Sequence, residues 1–134
     1  MDLKFKALIV DDERIYCEAM RLVLEAAGVQ VYVANSAAEA EMLFRLLVPD
    51  LVILDVLMPG MSGLELIGKL RGLVGWEHVP IVVASALGLR ANREAALDAG
   101  ANAYLSKPFS SRELRMTVRR FLPLAKTGEL IPAA

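Results

Sequence analysis

Short apolar runs rich in Val and Ile alternate along this chain with longer segments in which apolar residues recur every three or four positions. The runs that predict strands are residues 7–10, 29–34, 51–54, 80–84 and 103–105. The first, third and fourth runs are apolar at almost every position, as in strands buried on both faces of a sheet that helices cover. We therefore predict a parallel sheet whose strands are joined by helices.

The first intervening segment predicts a helix over residues 13–27 that ends at Gly28. Its predicted buried stripe consists of Ile15, Ala19, Leu22, Val23 and Ala26. Ser36 is expected to cap a second helix, because Glu39 follows three residues later as in a capping box. That helix ends before Pro49.

Three further helices complete the alternation. The third begins at Ser62 or Gly63, and the fourth covers residues 92–99 and ends at Gly100. The fifth is capped at residues 110–111 and is ended by Pro123. The residues of the third and fifth helices that we expect to face inward are Leu64, Ile67, Leu70, Leu114, Val118, Phe121 and Leu122.

Strands that alternate one for one with helices predict a doubly wound α/β sandwich. Because crossovers between parallel strands are right-handed, few strand orders remain, and we favour the flavodoxin-like (βα)5 order 2-1-3-4-5. Residues 1–122 form the predicted domain. Residues 123–134 contain Gly128 and Pro132 without a clear period, and we interpret them as a C-terminal tail or the start of a linker.

Composition narrows the class of protein. The chain of 134 residues is 56% hydrophobic and has a formal net charge of -1, which gives no electrostatic case for non-specific nucleic-acid binding but does not exclude a small local basic patch. Its single cysteine, Cys17, excludes an intrachain disulfide and is expected to be a core residue. We recognise no signal peptide and no apolar run of about 20 residues, which predicts a cytoplasmic protein without membrane contact.

Polar residues capable of chemistry follow four of the predicted strands. These residues are Asp11 and Asp12 after the first strand, Asp55 after the third, Ser85 after the fourth and Lys107 after the fifth. Each of them alone is more often a turn residue, a helix cap or a solvated side chain. Because the carboxyl ends of parallel strands share one edge of the sheet, we expect all of them to lie together near the switch point.

Three carboxylates at one place repel one another, and a hard cation such as Mg²⁺ or Mn²⁺ relieves that repulsion. Phosphoryl transfer depends on such charge neutralisation and on positioning. Asp55 is therefore the predicted nucleophile, which would form an aspartyl-phosphate. Lys107 would pair with the phosphoryl group, and Ser85 would donate a hydrogen bond to it.

Four motifs of this chain resemble those of the receiver domain of two-component response regulators. They are Asp11-Asp12-Glu13, residues 49–63 around Asp55, Ser85-Ala86 and Lys107-Pro108-Phe109. The resemblance runs from about residue 6 to residue 122. Each motif is weak alone, but their order and their places at the strand ends make the combination specific.

The resemblance implies roles for individual residues. Asp55 is the phosphoacceptor, Asp12 a direct metal ligand, and Asp11 a ligand or the holder of a metal-bound water. The backbone carbonyl of Leu57 supplies a third protein ligand. The Lys107–Pro108 peptide bond is expected to be cis, which aims the lysine at the site.

The implied function is a switch. A histidine kinase or histidine phosphotransfer protein of a two-component or phosphorelay pathway would phosphorylate Asp55. Ser85 and Tyr104 would then move together, and a downstream protein or output domain would recognise the altered surface of the fourth helix, fifth strand and fifth helix. Homodimerisation through that surface remains an open alternative. Self-phosphorylation and self-dephosphorylation would be the only chemistry, so the chain is predicted not to be an enzyme.

Leu57 and Leu87 each follow a site residue by two positions, and in similar receiver domains these positions border the path of the attacking water. Because neither side chain can activate water, we expect slow loss of the phosphoryl group. Leu57 also stands where a haloacid dehalogenase-type phosphatase has a second aspartate, which disfavours that alternative. A nucleotide-binding flavodoxin-like protein is disfavoured by the acidic loop after the first strand. An interaction module that is never phosphorylated remains open.

Overall fold

The computed structural model describes residues 4–60, 63–86 and 90–122. The strands are β1 (Lys6–Val10), β2 (Gln30–Ala34), β3 (Leu51–Leu54), β4 (Ile81–Ser85) and β5 (Ala103–Ser106). The helices are α1 (Arg14–Ala26), α2 (Ala37–Leu46), α3 (Gly63–Arg71), α4 (Arg90–Ala99) and α5 (Ser111–Phe121). Each helix in the described part follows one strand, as the alternation of the sequence predicts. None of these helices combines the length and the apolar character needed to cross a membrane.

All strand pairs are parallel, and the strand order is β2-β1-β3-β4-β5. The predicted doubly wound α/β fold and its strand order are therefore confirmed. In the register between β1 and β3, Val10 lies opposite Leu54. The aspartates that follow these two residues consequently leave neighbouring strands at the same level, at the point where the strand order reverses.

The sheet divides the hydrophobic core into two layers. One layer, which we call the α2–α4 layer, packs α2, α3 and α4 on the sheet and contains Phe44 and Trp76, whose ring centroids are 5.4 Å apart. The other, the α1–α5 layer, packs α1 and α5 on the opposite face and contains Cys17. Strands β1, β3 and β4 supply residues to both layers, which explains why their sequences are almost entirely apolar.

The predicted buried stripe of α1 is wrong. Ile15 is 86% exposed and Leu22 is 64% exposed, whereas the residues of α1 that the core buries are Cys17, Met20 and Leu24. Ala19 and Ala26 are exposed as well, and Val23 is only half-buried. Both stripes have helical spacing, so periodicity cannot choose between them. Directly before the helix, the carboxylate of Asp11 accepts a hydrogen bond from Glu13 N, which restrains the chain where α1 begins.

Helix α3 also differs from its prediction at one position. Leu64 is 40% exposed, and Leu66 takes its place in the core beside Ile67 and Leu70. The helix begins at Gly63, where an added Cβ would overlap Val56. The close approach of these two backbones therefore requires glycine at this position.

The helix ends agree with the predicted caps in most respects. Ser110 and Glu113 form a complete capping box at the start of α5. At α2, Ser36 accepts from Glu39 N at 3.1 Å, but the Glu39 carboxylate accepts from Asn35 N instead of Ser36 N. Helix α4 begins two residues earlier than predicted. The predicted roles of Ser62, Pro123 and the C-terminal tail lie outside the described residues.

Candidate functional site

Three carboxylates meet at the carboxyl end of the sheet. Asp11 and Asp55 follow β1 and β3 and are 1% and 3% exposed, while Asp12 is open to solvent. One carboxylate oxygen from each residue lies within 4.8 Å of the others. The backbone holds this arrangement, since Asp55 N donates to Val10 O across the two strands. The sheet thus brings together the three acidic residues that the sequence places at its strand ends.

Lys107 extends from the end of β5 into this group. Its ammonium donates to Asp11 Oδ2 at 2.6 Å, to Glu13 Oε1 at 3.0 Å and to Asp55 Oδ2 at 3.1 Å. The side chain is only 3% exposed. The peptide bond between Lys107 and Pro108 is cis. One buried cation therefore balances part of the negative charge of the cluster.

Burial and charge act in opposite directions on these groups. Burial raises the pKa of Asp11, although hydrogen bonds from Lys107 and from Glu13 N lower it in part. Burial by itself would lower the pKa of Lys107. The hydrogen bonds to Asp11 and Glu13 and the charges of Asp11 and Asp55 outweigh it, so the pKa of Lys107 is raised. The lysine consequently stays charged. A further cation would still stabilise the ionised carboxylates.

The segment after Asp55 turns its backbone toward the site. Leu57 N donates to Asp55 Oδ1 at 2.8 Å, while the leucine side chain is 47% exposed. A residue with an apolar, partly exposed side chain therefore follows Asp55 by two positions and binds its carboxylate through the backbone. Leu87, the other leucine singled out in the sequence, lies outside the described residues.

Asp11 is also held through its backbone. Its carbonyl oxygen accepts from Asn35 Nδ2 at 2.9 Å and from the Cys17 thiol at 3.2 Å. Burial raises the pKa of this thiol to about 11, so Cys17 is a neutral donor near pH 7. As predicted, Cys17 is a core residue.

Ser85 and Tyr104 occupy neighbouring strands. Ser85 is fully buried at the end of β4, and its carbonyl accepts from Lys107 N at 2.8 Å. Tyr104 is half-buried on β5, with the Arg93 guanidinium of α4 at 5.7 Å from its ring centroid. Ser85 thus lies beside the lysine, whereas Tyr104 connects β5 with α4.

Three residues at the site were not predicted from the sequence to belong to it. Glu13 binds Lys107, Tyr16 places its ring 4.3 Å from Lys107 Nζ, and Asn35 binds the Asp11 carbonyl. Glu13 and Tyr16 lie within a few residues of Asp12 at the start of α1, so their proximity to the site could have been inferred. Their contacts with Lys107 could not, because these depend on where β5 ends.

The donor set fits a hard divalent cation. All three candidate ligands are carboxylates, two of them are buried, and their oxygens are close enough to share one ion. Mg²⁺ prefers such oxygen ligands and keeps several waters, which the exposed side of the cluster near Asp12 can accommodate.

Comparison with known proteins agrees with this arrangement. The response regulator receiver domain family matches residues 7–119. The chain is 39% identical over 121 residues to the phosphate regulon transcriptional regulatory protein PhoB of Rhizobium meliloti, covering 90% of this chain and 53% of that protein. The chain therefore belongs to the response regulator receiver domain family. It spans about half the length of this relative and of several other curated relatives that it matches.

Solved structures share the fold over most of the chain. A putative response regulator from Chloroflexus aurantiacus superposes with a TM-score of 0.83 at 38% identity, covering 89% of this chain and 98% of that one. The receiver domain of a sensor histidine kinase from Pseudomonas aeruginosa has a TM-score of 0.80 at 26% identity, over 89% of this chain and 98% of that one. That structure has a magnesium ion coordinated in its active site cleft.

Proposed function

We propose that Asp55 accepts a phosphoryl group in a magnesium-dependent reaction, and that this modification controls the binding of a partner protein. The observation that carries the proposal is the position of Asp55, which is buried between the carboxylate cluster and the Lys107 ammonium. Ordinary turn aspartates are solvated or bind backbone N–H groups. Asp55 accepts one such bond, from Leu57 N, but it is buried and also faces charges of both signs, an arrangement suited to the charges that change during phosphoryl transfer.

The transfer itself uses few protein groups. A carboxylate oxygen of Asp55 attacks the phosphorus of a phosphohistidine on a kinase or a phosphotransfer protein. The new P–O bond forms as the P–N bond breaks, and the imidazole leaves. Lys107 exchanges a carboxylate partner for a phosphoryl oxygen, and the Ser85 hydroxyl donates a hydrogen bond to another.

Asp12, Asp55 and the carbonyl of Leu57 would hold the ion directly, with Asp11 as a further ligand or as the acceptor from a metal-bound water. When bound, Mg²⁺ neutralises charge on the phosphoryl oxygens. Carboxylate and carbonyl oxygens suit both Mg²⁺ and Mn²⁺, so the ligand chemistry alone leaves the preference between the two ions open. Replacing one ion by the other in the assay below would test this preference.

The switch would extend from the site to the surface formed by α4, β5 and α5. Ser85 moves toward the phosphoryl group, and Tyr104 turns inward on β5. A downstream protein or an output domain then distinguishes the two states of that surface. Dimerisation through the same surface is the alternative outcome, and size-exclusion chromatography with and without phosphorylation separates the two.

The proposed unit is a cytoplasmic signalling module within residues 1–122, with no turnover of outside substrates. The apolar side chain of Leu57, two residues after Asp55, supports this view, because it cannot serve as a general acid or activate water. We therefore expect the phosphoryl group to be lost slowly. A polar residue at this position, as in Leu57→Asn, should shorten the lifetime of the phosphorylated form.

Intact-mass measurement tests the proposal. The full chain is incubated with acetyl phosphate and Mg²⁺, and we expect the addition of one phosphoryl group. Asp55→Asn should abolish this addition, because an amide is a poor nucleophile. Removal of the metal with a chelator should reduce it strongly.

Asp50→Asn is the matched control. Asp50 directly precedes β3 as Asp55 follows it, and its carboxylate accepts from Lys6 N at the other end of the sheet. The asparagine keeps an acceptor oxygen, so the phosphoryl addition should remain. Addition that persists in Asp55→Asn would contradict the proposal. Continuous release of phosphate from several esters would instead indicate a phosphatase.

A further inference from the structure

Lys107 has a fourth neighbour besides its three carboxylates. The ammonium lies 4.3 Å from the ring centroid of Tyr16, which belongs to the first turn of α1. The lysine side chain is 3% exposed, so this contact is shielded from water. A cation over an aromatic face is held more strongly when it is desolvated.

Tyr16 is itself fixed by a second ring. Its centroid lies 5.6 Å from that of Phe109, and the two planes are tilted by 48°. Phe109 follows Lys107 by two residues, so the tyrosine packs against both the charge and the segment that carries it. The ring therefore connects the start of α1 with the end of β5.

The four contacts of the ammonium differ in what phosphorylation does to them. A lysine ammonium has three N–H donors, and Asp11, Glu13 and Asp55 accept from them. Binding a phosphoryl oxygen requires that one of these acceptors be released. The ring face of Tyr16 uses no hydrogen bond, so this contact can persist during the exchange.

Glu13 is a weaker support than the ring. Its side chain is 55% exposed, and exposed ion pairs are screened by water and salt. Asp11 and Asp55 are buried, but both are also candidate metal ligands. The ring of Tyr16 therefore contacts Lys107 without being a candidate metal ligand or an acceptor that the phosphoryl group would replace.

We propose that Tyr16 is a positioning residue, which holds the Lys107 ammonium beside Asp55 through its ring face while the carboxylates change partners. This inference rests on the proposed phosphorylation of Asp55. The first turn of α1 would thus contribute to the reaction by positioning the lysine, in addition to the contribution of the acidic cluster.

The first experiment compares Tyr16→Leu with Tyr16→Phe in the full chain. The leucine keeps an apolar side chain but removes the ring, and the phenylalanine keeps the ring without the hydroxyl. With acetyl phosphate and Mg²⁺, we expect the leucine variant to be phosphorylated about fivefold more slowly. The phenylalanine variant should stay within about twofold of the wild type, because only the ring face is used.

Titration calorimetry with Mg²⁺ separates positioning from a general loss of structure. Lys107 competes with the metal for Asp11 and Asp55, so a less restrained lysine should leave Mg²⁺ affinity unchanged or higher. A loosened site would instead weaken metal binding and phosphorylation together. That joint loss would overturn the proposal, as would a phenylalanine variant as slow as the leucine variant.

A third measurement does not depend on phosphorylation. The ring should shift the Hε resonances of Lys107 upfield in the wild type and in Tyr16→Phe, and this shift should disappear in Tyr16→Leu. Equal resonances in all three proteins would refute the contact. If the wild type shows the shift but accepts no phosphoryl group, the proposed function fails while the contact stands.

Discussion

Strand β3 has an aspartate at each end, and the two carboxylates are bound in different ways. Before the strand, Asp50 Oδ2 accepts from Lys6 N at 2.8 Å, and Asp50 N donates to Lys6 O at 2.7 Å. After the strand, Asp55 lies in a cluster of carboxylates around the Lys107 ammonium. Both carboxylates therefore accept a backbone N–H, Asp50 from Lys6 and Asp55 from Leu57, but Asp55 also faces charges that can be exchanged.

This difference shows which end of the sheet can respond to a ligand. A carboxylate that accepts a backbone N–H has a partner that neither metal nor pH near neutrality removes. A buried group of like charges, in contrast, depends on every cation near it. Changes in charge should consequently alter stability at the carboxyl end of the sheet and leave the amino end unaffected.

The largest effect is expected from removing the buried cation. Lys107→Met leaves Asp11 and Asp55 without their ammonium, and we expect the free energy of unfolding in metal-free buffer to fall by about 3 kcal/mol. Lys6→Met is the control at the other end of the sheet, with an expected change below about 0.5 kcal/mol. Urea denaturation followed by Trp76 fluorescence measures both. Equal losses of unfolding free energy in the two variants would show that the two ends of the sheet do not differ in this respect.

Magnesium should have the next largest effect. At ten times its dissociation constant, the ion should raise the free energy of unfolding of the wild type by about 1.4 kcal/mol. Asp12→Asn removes a carboxylate from the cluster and should lose most of this gain, which thermal or urea unfolding with added Mg²⁺ would reveal. The comparison fails if Asp12→Asn gains as much as the wild type.

The smallest effect belongs to the amino end. Asp50→Ala removes the acceptor of Lys6 N and should lower the free energy of unfolding by about 1 kcal/mol. Because no candidate metal ligand is involved, the loss should be the same with and without Mg²⁺. A loss that depends on the metal, in the same urea titration, would show that the two ends are coupled.

The fold could be predicted from the sequence because its strands are buried on both faces and its helices have clear ends. The faces of the helices were harder to predict. In α1, the exposed stripe through Ile15 and Leu22 is as apolar as the buried stripe through Cys17 and Leu24. Sequence periodicity does not show which of the two stripes is buried, and the hydrogen bond from Glu13 N to Asp11 at the start of the helix is visible only in the structure.

The residues of the candidate site also fall into those that the sequence predicts and those that only the structure reveals. The acidic residues and Lys107 could be placed together, since parallel strands end at a common edge. Tyr16, Glu13 and Asn35 could not be assigned contacts, because these arise when three separate segments pack against one another. Side chains directly at strand ends are predictable, and side chains that reach them from a helix or a neighbouring loop require the structure.

The division of the core by the sheet gives the molecule two internal reporters. Trp76 lies in the α2–α4 layer, and the buried thiol of Cys17 lies in the α1–α5 layer. Fluorescence of the first and chemical labelling of the second therefore follow the two faces of one sheet separately. Coincident transitions would mean that the layers unfold as a single cooperative unit, and separated transitions would identify the face that opens first.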